Sequence, residues 1–274
     1  MSRPSGVRLA AEVRHQSVLI ARDPGPLIGY TVMGLLLITA TRPLYAALSH
    51  LVGMGSGESG IDRAAAGMAV MFSLFALKVG AAQLLNERTW HTWDRLRTSP
   101  AGFGEILVGK SLPFLVAIAA QQALLFGFTA AAFGLHPRAG WWALAACALA
   151  WSGCVLFLGI GASTLARSPA QLSAAGDVFA LLTTVLGGAL VPVNLLPGWM
   201  RAVAPASPGY WALDAYRGAL AGTLSQLGRP LAMLGVFALI GVAVAAGIGA
   251  RQRARSSPRK SPSARPVGRS GLAA

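Results

Sequence analysis

Residues 141–165 read WWALAACALAWSGCVLFLGIGASTL, an apolar run without a single charged side chain. A helix needs about 20 apolar residues to cross a hydrocarbon core of about 30 Å, and this run is long enough. The strands of a membrane β-barrel would alternate polar and apolar residues, which this run does not do. Because a backbone in lipid must satisfy its own hydrogen bonds, the run is predicted to be a membrane-spanning helix.

The chain on both sides of this run has the same character. Of its 274 residues, 54% are hydrophobic and 12% are charged, whereas a soluble domain carries about 25% charged residues. We therefore predict an all-α, polytopic membrane protein with a six-helix transmembrane domain over residues 26–250. The predicted spans are 26–48, 64–85, 106–133, 141–165, 172–193 and 230–250. In the last span Gly241, Ala245 and Gly249 repeat every four residues, a spacing that permits close helix packing.

Lysine and arginine are distributed unevenly among the connections between these blocks. They are concentrated in the N-terminal segment, in the 86–105 loop and in the tail after residue 250, and the alternate connections hold fewer. The positive-inside rule then predicts that both termini lie in the cytoplasm. We interpret the net charge of +14 as topological and attracted to anionic membrane lipid, rather than as a surface for nucleic acid.

The two ends of the chain are predicted to lie outside the spans. Residues 6–22 read GVRLAAEVRHQSVLIAR, in which Val13 and Ile20 share one arc of a helix with other apolar residues. Polar residues occupy the opposite arc: Arg8, Glu12, His15, Gln16 and Arg22. Residues 1–25 are therefore predicted to form a cytoplasmic, amphipathic connecting helix in the membrane interface, or alternatively a soluble helix docked on another surface. The basic tail 251–274 contains no acidic residue and is predicted to be disordered.

No catalytic or metal-binding pattern is present in the sequence. The chain has no GxxxxGK[ST] phosphate-binding loop, the motif through which many proteins bind ATP. Its four histidines form no cluster, and Cys147 and Cys154 have no metal-ligand spacing. We therefore expect no enzyme activity, no catalytic residue, no metal site and no cofactor bound by this chain.

Two stretches together carry a family resemblance. The first is NERTWHTWDRLRTSP at 86–100, followed by Gly109-Lys110. The second is GGALVP at 187–192, then LPGWM at 196–200, two prolines, and DAYR at 214–217. Over nearly the whole chain this order resembles the ABC transporter type-2 permeases, the membrane subunits of bacterial drug and polysaccharide exporters. One departure is His91-Thr92, where the family usually has glycine before threonine.

The resemblance implies a function and a set of partners. It implies a dimer of permease subunits, two copies of this chain or one with a homologous permease, in a bacterial cytoplasmic (inner) membrane. ATP and magnesium would be bound by a separate ATP-binding subunit. The substrate class stays open among drugs or antibiotics, lipids and glycans, hydrophobic or amphiphilic in character.

The resemblance also implies that the first stretch is the loop that couples the permease to its ATPase. The residues assigned to this coupling loop are Glu87, Arg88, Trp90, Thr92, Trp93, Arg95, Leu96 and Pro100. Its mixture of charges and exposed aromatic residues is typical of protein interfaces. Alternatively, Trp90 and Trp93 lie in the lipid headgroup layer.

The second stretch is too long and apolar for a simple turn. By resemblance it forms short helices that dip back into the outer leaflet, which is tolerated where protein or water satisfies the backbone. The residues assigned to this re-entrant segment are Pro192, Leu196, Pro197, Trp199, Pro205 and Pro208. The alternative is a loosely packed external loop.

Two charges lie inside predicted spans at matching depths. Lys78 is about 10 Å and Asp177 about 8 Å from the cytoplasmic ends of their helices. They form a candidate intramembrane charge pair, with independent snorkelling toward the cytoplasm as the alternative. An ion-coupled secondary transporter would need acidic residues near the midplane, and only Asp177 is embedded. That transporter class and a non-transporting membrane scaffold remain the alternative functions.

Overall fold

The computed structural model describes the backbone of residues 5–51, 60–89 and 103–256, and the ends of several helices by backbone alone. Within these ranges the chain is helical and contains no strand. Six of its helices are long and apolar enough to cross a membrane. The prediction of an all-α protein with six spans is therefore confirmed.

We number the helices in chain order. They are α1 (Ser5–Arg22), α2 (Gly25–Leu51), α3 (Gly60–Thr89), α4 (Phe103–Phe133), α5 (Trp141–Leu165), α6 (Pro169–Gly187), α7 (Gly198–Val203), α8 (Pro208–Ala221) and α9 (Gly228–Ser256). Single 3₁₀ turns lie at Val193–Leu195, Ala204–Ala206 and Leu224–Gln226. The membrane-length helices are α2 to α6 and α9.

Several helix ends differ from the predicted span boundaries, and the largest differences are at the C-terminal ends of α6 and α9. The span predicted at 172–193 ends at Gly187, because Gly188 adopts a left-handed conformation with φ 80° and its N–H bonds back to the last turn. Glycine takes this conformation without steric cost, so it commonly terminates helices. At the other end, α9 continues to Ser256, so residues 251–256 of the tail predicted to be disordered are helical. Residues 257–274 lie outside the described part of the chain.

Helix α3 lies at the centre of the bundle. In its membrane window 67% of the residues are buried, against 11% in the windows of α2 and α9. The buried residues include the small side chains Ala64, Ala65, Ala66 and Ala69. Small residues let neighbouring helix backbones approach closely, and α2, α4, α5, α6 and α8 all pack against α3.

Helix α9 is held against α5 by glycine contacts. A Cβ atom on Gly241 would collide with the carbonyl of Phe157, and one on Gly161 would lie 2.9 Å from the carbonyl oxygen of Gly241. Ala245, one turn further, packs against a buried cluster that contains Leu156. The close packing predicted from the Gly241 spacing is therefore present at this crossing.

Helix α1 packs against α4. Gln16, assigned by periodicity to the polar arc, is only 3% exposed, and Val18 on the apolar arc is exposed. Ile20 packs against a cluster formed by Phe114, Leu156 and Ile160. Gln16 is thus buried although it lies on the polar arc of the sequence pattern, so packing and not periodicity alone decides which face of α1 is covered. The location of α1 in the membrane interface stays a prediction.

Candidate functional site

The segment between α6 and α9, residues 188–227, folds into two short helices, α7 and α8, joined by 3₁₀ turns. Most of α8 is buried, and it packs against α3, α5, α6 and α9. Its first turn touches α6 backbone to backbone, since a Cβ atom on Gly209 would lie 2.7 Å from the carbonyl oxygen of Thr183. The 188–227 segment is thus an integral part of the helix bundle. Its dip into the outer leaflet stays a prediction.

The residues assigned to the re-entrant segment divide into two groups. Pro192, Leu196 and Pro208 are buried, whereas Pro197, Trp199 and Pro205 are exposed. The prolines lie at the turns of the segment. Pro208 is the first residue of α8, a position where a backbone N–H would have no partner within the helix, so its absence removes no hydrogen bond. The carbonyl of Pro205 accepts a 2.8 Å hydrogen bond from the indole N–H of Trp211.

Arginine side chains hold this segment together. The Arg201 guanidinium donates to the carbonyls of Asn194 (3.2 Å) and Leu196 (3.3 Å), which closes the turn before α7. The Arg229 guanidinium lies 5.1 Å from the ring centre of Trp211, a cation–π contact between α9 and α8. Burial raises the pKa of the Asp214 carboxyl on α8, and the charges of Arg217 and Arg229 oppose that effect.

A buried polar network joins α8 to two spans. Gln122 on α4 is fully buried. Its amide oxygen accepts a hydrogen bond from the hydroxyl group of Tyr216. Its amide nitrogen donates a hydrogen bond to Ser152 Oγ at 2.6 Å. Ser152 in turn donates to the carbonyl of Ala148 at 2.7 Å. We call Gln122, Ser152 and Tyr216 the Gln122 network. None of its three residues was among the predicted site residues, although the pair Gln121-Gln122 inside an apolar block is a visible signal in the sequence.

A second set of buried polar contacts joins α3 to the same two spans. The indole N–H of Trp151 donates to Ser73 Oγ at 2.6 Å, and Ser73 donates to the carbonyl of Val70 at 2.9 Å. The amide of Gln121 donates to the carbonyl of Phe72 at 3.5 Å. Polar groups in a lipid-facing bundle bond across helices because no water is available to them. Together the two sets hold α3, α4, α5 and α8 in one register.

The predicted coupling loop begins on a helix. Helix α3 ends at Thr89, about 6 Å of helix beyond the predicted end of the span at residue 85. Glu87 and Arg88 therefore lie in its last turn. The other assigned residues lie outside the described part of the chain: Trp90, Thr92, Trp93, Arg95, Leu96 and Pro100. The chain is described again from Phe103, where α4 begins.

The candidate charge pair sits on two helices that pack together, α3 and α6. The neighbours of these residues, Leu77 and Gly176, line the same cavity. The side chain of Lys78 lies outside the described residues, and Asp177 is exposed on α6. The pairing therefore stays a prediction. In the described ranges no group of three or more histidine, cysteine, aspartate or glutamate residues could hold a metal ion.

Six apolar helices of membrane-spanning length make this chain a multi-pass membrane protein. The family model of the ABC-2 type transporter matches residues 10–221, most of the chain. The chain belongs to this family of transporter membrane subunits, which confirms the resemblance seen in its sequence.

A related permease of Bacillus subtilis agrees with this membership. The chain is 28% identical over 164 residues to the linearmycin resistance permease protein LnrN of Bacillus subtilis (strain 168). The matched region covers 58% of this chain and 41% of the relative, so the chain matches less than half of that protein's length.

Proposed function

We propose that this chain is the permease subunit of an ATP-driven exporter in a bacterial inner membrane. The observation that carries the proposal is the family match over residues 10–221. These 274 residues contain no GxxxxGK[ST] motif, and the family resemblance implies a separate ATP-binding subunit that supplies the energy. Two permease subunits assemble around the transport pathway, as the family resemblance implies.

Helix α3 is suited to transmit the force from that ATPase. It has 30 residues and is therefore about 45 Å long. One end leads into the coupling loop. Near the other end, a Cβ atom on Gly67 would lie 2.7 Å from the carbonyl oxygen of Ala189, at the start of the 188–227 segment. A displacement of the loop would thus reach both the centre of the bundle and the 188–227 segment through one rigid element.

The proposed substrate is hydrophobic or amphiphilic. The relative is named for resistance to linearmycin, which supports an antibiotic among the classes of drug, lipid and glycan. Export, rather than uptake, is supported in the same way, because a permease that removes a toxic compound from the cell confers resistance to it.

Co-purification of an ATPase with the tagged chain tests the proposal. We expect an ATP-binding protein encoded by an adjacent gene to form a stable complex with this chain when the two are co-expressed. In proteoliposomes the complex should hydrolyse ATP faster when the substrate is present. If no ATPase binds and transport instead follows a proton gradient, the chain is a secondary transporter. If neither ATP nor an ion gradient drives transport, it is a scaffold.

A further inference from the structure

A cavity of about 420 Å³ lies between α3, α5, α6 and α9. Helix α6 packs on α3 and helix α9 packs on α5, and the cavity occupies the space that these two pairs leave. Its lining residues are Leu77, Ala81, Leu158, Gly161, Ala162, Leu165, Ala166, Gln171, Leu172, Ala175, Gly176, Phe179, Ile240, Gly241 and Val244. All of them except Gln171 are apolar, so the cavity suits hydrocarbon.

The cavity reaches the outer surface of the bundle, since two of its lining residues, Leu165 and Ile240, are 62% and 49% exposed. A space with an almost wholly apolar lining gains dispersion contacts when an alkyl chain fills it. The volume lies within the range of pockets that bind small molecules.

The connection between α5 and α6, which lies at one end of this cavity, contains a basic residue. Arg167 and Ser168 connect α5 to α6, between the lining residues Ala166 and Gln171. The backbone N–H of Arg167 donates to Gln171 Oε1 at 2.9 Å, and this contact holds the turn beside the cavity. The charge asymmetry of the chain predicts that this end faces the cytoplasm, where the leaflet carries anionic lipids that attract basic residues.

We propose that the cavity binds one acyl chain of an anionic phospholipid from the cytoplasmic leaflet, with its phosphate bound by Arg167. The apolar lining selects a hydrocarbon chain, and the adjacent guanidinium selects an anionic headgroup, as it does in basic pockets between membrane helices. This lipid site needs neither ATP nor a transported substrate, so it is independent of the proposed export function.

Native mass spectrometry of the full chain, extracted from vesicles of equal parts phosphatidylglycerol and phosphatidylethanolamine, tests the site. We expect the unmutated chain to retain phosphatidylglycerol preferentially. Ala175→Trp occupies part of the cavity, and the loss of contact for even about two methylene groups of the chain lowers lipid retention roughly tenfold. Ala174→Trp, on the same exposed helix but outside the lining, is the matched control and retains the lipid.

Arg167→Gln tests the headgroup without touching the packed bundle. We expect it to lower the preference for phosphatidylglycerol about fivefold, the contribution of one basic residue at a membrane surface. Arg138→Gln, at the opposite end of the bundle, leaves the preference unchanged. Equal retention of the two lipids by the unmutated chain, or full retention by Ala175→Trp, overturns the proposal.

Discussion

The amide of Gln122 is bonded on both sides inside the bundle, to Tyr216 and to Ser152. An isolated amide would be costly there, because a buried polar group without a partner loses its hydration and gains nothing in return. The amide therefore stabilises one arrangement of the helices, in which α8 lies against α4 and α5 and both sides of the amide are hydrogen-bonded. Its partner Tyr216 is 94 residues away in the chain, so no local pattern could identify it.

A double-mutant cycle measures this bond. Tyr216→Phe and Gln122→Leu should each lower the free energy of unfolding, with a coupling of about 1 kcal/mol, the usual size of a hydrogen bond between membrane helices. Thermal unfolding of the purified variants is the readout. Tyr210→Phe, on the same helix but outside the network, serves as the control. Strictly additive losses would contradict the bond.

At the scale of elements, the crossing of α5 and α9 depends on glycine residues, which have no side chain to separate the two helices. A methyl group on Gly241 would collide with the backbone of α5, whereas one on Gly247, further along α9, would meet nothing within 4 Å. The two glycines look alike in sequence, and only the crossing point distinguishes them.

Gly241→Ala should therefore destabilise the protein by about 1–3 kcal/mol through overpacking. Gly247→Ala should be neutral or slightly stabilising, because alanine favours a helix over glycine. The unfolding temperatures of the two variants in the same detergent check this difference. Equal temperatures would show that the α5–α9 crossing is looser than described.

The predicted coupling loop is the second element with a sharp test. Trp90→Ala, Trp93→Ala and Glu87→Lys should weaken binding of the ATPase, since truncation of an interface anchor costs ~2 kcal/mol, or roughly thirtyfold in affinity. Pull-down and substrate-stimulated ATP hydrolysis are the measurements. Trp199→Ala, an exposed tryptophan in the 188–227 segment, should bind the ATPase normally. If all three loop variants keep normal ATPase binding and normal substrate-stimulated hydrolysis, the loop is not the coupling element.

At the scale of the whole molecule, the charges of the connections predict the orientation in the membrane. Reporters fused after Arg97 and after residue 255 should be cytoplasmic, and those after Ser59 and Arg138 external. Paired phosphatase and fluorescent-protein fusions distinguish the two sides. An external signal from the Arg97 fusion would reverse the topology and move the proposed lipid site to the other leaflet.

The sequence by itself determined the helical class, the number of spans and the family. These follow from local properties, since each membrane helix closes its own backbone hydrogen bonds and needs about 20 apolar residues wherever its neighbours lie. Residues 141–165 form α5 with the predicted bounds for this reason.

Only the tertiary structure decided which of these helices meet and which faces are covered. The burial of Gln16, the pairing of Gln122 with Tyr216, the contact at Gly241 and the cavity between α6 and α9 all depend on helices far apart in the chain. In lipid, apolar surface gains little by turning inward, so hydrophobic periodicity does not mark the buried face. Close packing and shared polar contacts select the arrangement instead, and both are properties of pairs of helices.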